Sequence, residues 1–227
     1  MSTFTPNRIL REALAILGTV LDRLALMARG GPSETGAELR RLCGELLAYA
    51  PGGLKTGDMG ARLAACFATA RKAGATAEDF ARLRMSIEAM SATYAMGQTV
   101  LVAAIRFALI EESRALAARR FTSRAECEAI RERMNIAFDA AIEVAADRGE
   151  YAAMRALTAL HSAVAFDLHE RGRPLPRVID YRMNRRMPSL RIAQRLYGEA
   201  AREPELVAEN RPPHPLFMPA VGRALSE

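Results

Sequence analysis

Apolar residues recur along this chain at spacings of three and four, the period of a helix with one buried face. Leu10, Leu14, Leu17, Leu21, Leu24 and Ala28 form the first such seam. Thr5 followed by Pro6 reads as an N-cap and a first-turn proline ahead of it. Gly30, Gly31 and Pro32 interrupt the pattern and predict a loop through Gly36. A second helix is expected from about Ala37, with Leu39, Leu42, Leu46 and Leu47 on one side, ending at Pro51, Gly52 and Gly53. Residues 62–72 predict a short helix that brings Leu63, Cys66, Phe67 and Ala70 together and stops at Gly74.

Thr76 then stands three residues before Asp79, the spacing of a capping box, and the carboxylates of Glu78 and Asp79 suit the positive end of a helix dipole. A long helix is expected from there to about Leu116, its seam running through Phe80, Leu83, Ile87, Met90, Tyr94, Gly97, Leu101, Ala104 and Ala108. Gly97 on that seam admits a close neighbour and invites a break around residues 96–99. Ser123 with Glu126 opens the next helix, whose predicted buried face is Cys127, Ile130, Met134, Phe138, Ala141 and Ala145. Gly149 separates it from a partner carrying Met154, Leu157, Leu160, Val164 and Leu168, and so short a connection requires the pair to be antiparallel. From Arg173 to Met187 the helical period is lost. Pro174 and Pro176 forbid a continuous helix, and Val178, Ile179 and Tyr181 suit an extended segment.

Beyond that hinge, Pro188 can open a helix with Leu190, Ala193, Leu196 and Tyr197 on one face, closed by Gly198. A second short helix can start at Pro204 and carry Leu206, Val207 and Asn210. Pro212, Pro213 and Pro215 then force the tail from His214 to run extended.

Length and composition narrow the class. A chain of 227 residues, half of them hydrophobic, supports one or two domains with a real core. Cys43, Cys66 and Cys127 are odd in number and widely spaced, so they indicate neither a disulfide framework nor a zinc pair. No secretory signal is visible, and the most apolar run, residues 100–110, is too short to span a bilayer and contains Arg106. The net charge is +6 and nearly all of the positive charge is arginine, with Lys only at Lys55 and Lys72. That permits an anionic partner without establishing one.

Candidate chemistry is sparse. GGLKTG at residues 52–57 departs from a phosphate-binding loop because Lys55 follows Leu54 rather than a glycine, so a turn is expected. His161 and His169 are eight residues apart, too far for a two-ligand clamp on a helix, and His214 between prolines suits packing or capping. No nucleophile motif is present, and no catalytic residue, metal or cofactor is indicated. The most distinctive feature is the basic run Arg171, Arg173, Arg177, Arg182, Arg185, Arg186, Arg191 and Arg195, interrupted by one acidic residue, Asp180. It can neutralise phosphates of duplex DNA or pair with an acidic protein surface, and protein contact is the preferred reading.

Pro188, Ser189, Leu190, Arg195, Leu196, Tyr197, Gly198, Ala200, Ala201, Glu209, Asn210, Arg211, His214, Pro215, Phe217, Pro219 and Leu225 together resemble the carboxyl-terminal region of the Mu-type phage DNA circularisation proteins, which are tail and baseplate proteins of contractile-tailed phages and prophages. The order of YG, a helix ending in Asn and a Pro-bounded strand is also similar to the lysin-motif (LysM) ending of other tail proteins. Members of the circularisation family carry a further amino-terminal domain, whereas this chain begins at Met1 with helical sequence, so that domain's roles do not transfer.

The expected fold is all-α: an antiparallel helical bundle over residues 1–172 with long central helices, a linker over 173–187, and a tail module over 188–227 of two short helices and extended, LysM-like segments. The resemblance implies a non-enzymatic structural component of a phage or prophage tail or baseplate, assembled in the bacterial cytoplasm. It would self-associate and contact neighbouring tail proteins, without membrane insertion. The alternative it implies is non-covalent binding to the ends of injected duplex DNA. Arg173, Arg177, Arg182, Arg185, Arg186, Arg191 and Arg195 are the candidate contacts for either partner.

Overall fold

A computed structural model describes residues 5–29 and 33–226, which are mostly helical. Nine α-helices and one two-stranded sheet are found among them. The contacts divide the described residues into two compact units, one made from the chain up to Arg119 together with Ala137–Thr158, the other from Arg120–Ile136 and the chain from Ala159 onward.

In the first unit, helix α1 (Thr5–Ala25) packs against α2 (Glu34–Thr56), α3 (Gly60–Lys72) and α5 (Ala95–Ala118), and α4 (Ala77–Glu88) lies along α5. Leu17, Leu21, Leu24, Leu39, Leu46, Phe67, Phe80 and Ile87 are fully buried between them. The leucine seam of α1 is the one that the period predicts. Helix α1 starts at Thr5 itself, with Pro6 in its first turn, and the loop start at Gly30, Gly31 and Pro32 lies outside the described residues.

Three boundaries differ from expectation, each for a tertiary or capping reason. Helix α2 starts at Glu34 because the Ser33 hydroxyl accepts from the Gly36 amide at 3.1 Å. It also continues through Pro51 to Thr56 instead of stopping there. An interior proline costs roughly 3 kcal/mol, and what opposes that cost is close packing. Ala50 and Gly53 are buried, and a Cβ on Gly53 would come within 2.5 Å of the Tyr49 ring and 2.8 Å of Met59. The GGLKTG segment is therefore a last helical turn closed by Gly57 in the left-handed region, where φ is 74°.

The expected long helix is in fact two, and the break falls at residues 89–94 rather than at 96–99. Glu12 of α1 sets it there, its carboxylate accepting from the amides of Thr93 at 2.7 Å and Tyr94 at 2.9 Å at the mouth of α5. The Thr93 amide bond holds the Glu12 carboxyl below its ordinary range. Gly97 does permit the close approach foreseen for it, since a Cβ there would meet Glu12 at 2.9 Å and Ile16 at 3.1 Å.

The capping box at Thr76 is present in full. Burial alone would raise the pKa of Asp79, but Arg29, the Thr76 amide and hydroxyl, and Arg82 together hold its carboxyl well below the usual range. A carboxyl with a depressed folded-state pKa contributes stability above its unfolded pKa of about 3.9 and loses that contribution as pH falls below it. Asp79→Asn is therefore expected to cost about 1–3 kcal/mol at pH 7. In denaturant titrations the gap between variant and parent should narrow steadily below pH 4, and a gap unchanged at pH 2.5 would contradict this account.

Helices α6 (Arg124–Asp147) and α7 (Tyr151–Gly172) pass through both units. The Ser123 hydroxyl accepts from the Glu126 amide at 3.3 Å, while the Glu126 carboxylate reaches one residue further back than a standard box, to the Thr122 amide at 3.0 Å. All six residues predicted for the α6 core face are buried. Within the second unit, Asn135 meets His161, Arg131 meets His169 and Cys127 abuts Gly172, which makes this stretch of the hairpin antiparallel.

The terminal part of the second unit runs β1 (Val178–Arg182), α8 (Ser189–Tyr197), a 3-10 turn (Ala200–Arg202), α9 (Glu203–Asn210), a second 3-10 turn (Pro215–Phe217) and β2 (Val221–Leu225). The extended segment expected at 178–181 is strand β1, and it pairs antiparallel with the end of the chain, Val178 opposite Leu225 and Arg182 opposite Val221. The stretch read as a linker thus supplies half of the sheet that closes this module. Tyr181, Met187, Ile192, Ala193, Leu206, Met218 and Ala224 form its small core.

Two further expectations are corrected. Leu190 is 57% exposed, and the buried face of α8 is Ser189, Ile192 and Ala193, because the short helix is rotated to bring Ile192 onto Leu206 and Met218 in that core. The tail from His214 is not extended throughout. Pro215–Phe217 makes a 3-10 turn, capped by His214, whose Nδ1 accepts from the Leu216 amide at 3.1 Å.

Candidate interaction surface

Several of the residues that carry the sequence resemblance, Tyr197, Gly198, Asn210, Pro215 and Pro219 among them, make up the frame of the terminal module. Asn210 ends α9 and clamps the neighbouring strand, its Oδ1 accepting from the Arg223 amide at 2.8 Å and its Nδ2 donating to the Arg223 carbonyl at 2.7 Å. Tyr197 accepts from the Leu225 amide at 3.1 Å, and Arg202 lies over its ring at 4.0 Å. Burial raises the Tyr197 phenol above its ordinary pKa, so it remains a neutral hydroxyl at any working pH. Gly198 ends α8 in the left-handed region, and Arg211 occupies the same region after α9 with a φ of 44°. The Ser189 hydroxyl donates to Glu203 at 2.6 Å and ties the starts of α8 and α9 together. Pro188 caps α8, Pro215 opens the 3-10 turn, and Pro219 accepts from the Tyr181 hydroxyl at 3.3 Å. Leu196 is half-buried on the core, whereas Phe217 is 66% exposed.

The predicted basic run divides. Arg182, Arg185, Arg186, Arg191 and Arg195 are all exposed, and none makes an ion pair among the described residues. Arg191 and Arg195 sit four residues apart on the outward face of α8 beside the exposed Leu190. Arg182 stands on β1 directly opposite the exposed Val221. This contrasts with the first unit, where Arg41, Arg71, Arg82, Arg84, Arg106, Arg114, Arg119 and Arg148 all hold carboxylates. The difference is physical: residues 181–198 contain no acidic side chain to compensate these arginines locally.

The chain matches no protein-family model and no curated protein sequence. The module's own geometry and the resemblance therefore carry the functional reading.

Arg171, Arg173 and Arg177 belong to a different setting. Arg171 pairs with Asp167 at 3.0 Å and stacks on Phe121, while Arg173 is held near Glu170 at 3.5 Å. Around the start of α6 and the end of α7, Arg173 joins Arg124, Arg131, Glu128 and His169 in lining a pocket of about 90 Å³. The sequence pattern does not single out Arg124 and Arg131. The signal that could have found them is their seven-residue spacing on α6, combined with an antiparallel hairpin that sets them opposite 169–173.

The remaining candidates have structural settings. His161 places Nε2 2.9 Å from the Asn135 side-chain oxygen, within hydrogen-bond distance. His169 Nδ1 lies 3.4 Å from the Arg131 guanidinium. All three cysteines are buried, and no disulfide joins them. Among the described residues no group of three His, Cys, Asp or Glu side chains is placed to hold a metal ion, and no helix is long and apolar enough to cross a membrane.

Proposed function

We propose that this chain is a structural component of a contractile phage or prophage tail or baseplate, working by self-assembly and neighbour contacts and carrying out no chemistry. The observation that carries this reading is the fate of the resemblance residues: Tyr197, Gly198, Asn210 and His214 spend their polar groups on capping and strand clamping inside a compact module, leaving none for a reaction. The strand, YG-ending helix, Asn-ending helix and Pro-bounded strand support the finer reading of that module as LysM-like, and of the helices before it as an antiparallel bundle. Its surface carries the exposed Arg182, Arg185, Arg186, Arg191 and Arg195, and Ile179, Leu190, Leu216, Phe217 and Val221 are exposed as well. Arginine with apolar and aromatic groups is the composition of protein contact surfaces. On this reading the protein is located in the virion tail or baseplate after assembly in the bacterial cytoplasm.

One observation favours a second reading, association with ends of duplex DNA: those five arginines have no acidic partner in the described chain. The two readings separate in one experiment. Purified protein is tested by sedimentation for self-association, by co-purification with the tail proteins encoded beside it, and by duplex DNA retardation over a salt series. Arg182→Gln, Arg185→Gln and Arg186→Gln together are expected to weaken protein assembly at least about tenfold. If DNA is the partner instead, the same triple change lowers the slope of log affinity against log salt by roughly 2–3. A chain that stays monomeric and binds neither would sink both readings.

A further inference from the structure

The end of the α6–α7 hairpin in the second unit gathers basic side chains from α6, from the end of α7 and from the residue after it. Arg124 and Arg131 stand two turns apart on α6, His169 is near the end of α7, and Arg173 follows it. The floor of the pocket they line is set by Cys127, 2% exposed, against which Gly172 presses so closely that a Cβ there would lie 3.1 Å from the Cys127 Cβ. Among the lining residues Glu128 is the one carboxylate. It accepts from Arg124 Nε at 2.8 Å and also feels Arg131 and Arg177, and these guanidiniums hold its carboxyl below the ordinary range. Glu170 lies 3.5 Å from Arg173, at the outer limit of a hydrogen bond. Arg131 faces His169 Nδ1 at 3.4 Å, a single ring nitrogen and a poor match for a guanidinium fork. Four guanidiniums, those of Arg124, Arg131, Arg173 and Arg177, thus stand against two carboxylates, leaving an excess of two positive charges. The amino-terminal end of α6 adds to the same sign.

The geometry points to a site for a phosphate dianion, free or as the terminal group of a small phosphomonoester, held chiefly by Arg131 with Arg124, Arg173 and His169 around it. A pocket of about 90 Å³ has room for a group of several heavy atoms but not for an extended ligand. The charge excess matches a dianion. Planar guanidinium forks bind tetrahedral oxyanions through paired N–H donors, which an imidazole nitrogen cannot replace. This site goes beyond the assembly role and does not depend on it, because none of its lining residues belongs to the outward face of the β1–β2 module.

The test is calorimetric titration of the full chain with inorganic phosphate at constant ionic strength, chloride making up the balance. One saturable site per chain is expected. Arg131→Gln should weaken it at least about tenfold, while Arg41→Gln, whose guanidinium is occupied by Glu38 and Glu45 on α2, should leave it unchanged. Should Arg131→Gln not fold, Arg131→Lys keeps the charge, removes the fork, and is expected to weaken binding as well. Competition by ribose 5-phosphate identifies a phosphomonoester as the ligand, and lack of competition identifies free phosphate; both sustain the site. Heats that follow ionic strength rather than phosphate, or an Arg131 variant that binds like the parent, would overturn it.

Discussion

Arg84→Met is expected to lower the free energy of unfolding by about 3–5 kcal/mol, the range found when one member of a buried ion pair is removed. Arg84 on α4 is 5% exposed, and its Nε donates to Glu112 on α5 at 3.2 Å. Its Nη1 reaches Glu88 at 2.9 Å. Glu112 has no exposed surface at all, so when this guanidinium is removed the carboxylate keeps its desolvation cost and loses one compensating charge. Methionine fills much of the same volume, which keeps the cavity contribution small. The double variant Arg84→Met with Glu112→Leu also removes the buried carboxylate and should lose less than Arg84→Met alone, because an apolar pair replaces a buried ionic contact at little net cost. Urea denaturation of the two variants decides the matter. A single-variant loss below about 1 kcal/mol, no larger than an exposed pair contributes, would show that this contact does not anchor α4 to α5.

The second large effect is expected at Gly222. Its φ is unremarkable, so conformational freedom is not the reason it is glycine. A Cβ there would collide with the side-chain oxygen of Asn210, which clamps β2 at Arg223, and lie 2.7 Å from the ring of Tyr181, which stands opposite it on β1. Neither can retreat cheaply, since Tyr181 is buried against the module core and Asn210 is fixed by three hydrogen bonds. Gly222→Ala should therefore cost about 2–3 kcal/mol, toward the upper end for an overpacked site, and should act locally. Hydrogen exchange at the Leu225 and Met183 amides, which bond to Tyr197 and Ala220, should speed up while the amides of α1 and α5 keep their protection. By contrast Gly198→Ala meets no atom within 4 Å and carries only the penalty of its left-handed backbone, roughly 1–2 kcal/mol. Parental exchange throughout the Gly222→Ala variant would mean that the Asn210 clamp is not what closes the module.

Much of this architecture can be read from the residues, and the successes share a cause. The Thr76–Asp79 box, the Ser123 cap, the α6 core face, the Gly149 turn and the Gly198 stop are all fixed by groups within four residues of one another, where chain geometry leaves few alternatives. The misses share the opposite cause. Pro51 ends a helix by local rules, and α2 runs past it because Tyr49 and Met59 close over Gly53. A glycine points to an α4–α5 break at 96–99, yet the break is set by Glu12, some eighty residues away in the chain. Leu190 is buried by period alone, but a nine-residue helix has one narrow contact stripe, and Ile192 occupies it.

The candidate surface is half legible for the same reason. An arginine run is visible in any reading of residues 171–195, and so is the scarcity of carboxylates inside it. Which arginines lack a partner, and which join Arg124 and Arg131 across the hairpin, depends on contacts between distant segments.

Helix identity, caps and turns were inherent in the order of the residues, because short-range sterics and hydrogen bonds specify them before any packing occurs. The pairing of Val178–Arg182 with the last strand, the helix that survives its proline, and the gathering of cations around Glu128 came only with folding. A strand partner or a charge neighbour about forty residues away leaves no periodic trace. It is chosen by which surfaces the helices bring together, and that choice is made by burial of the core as a whole.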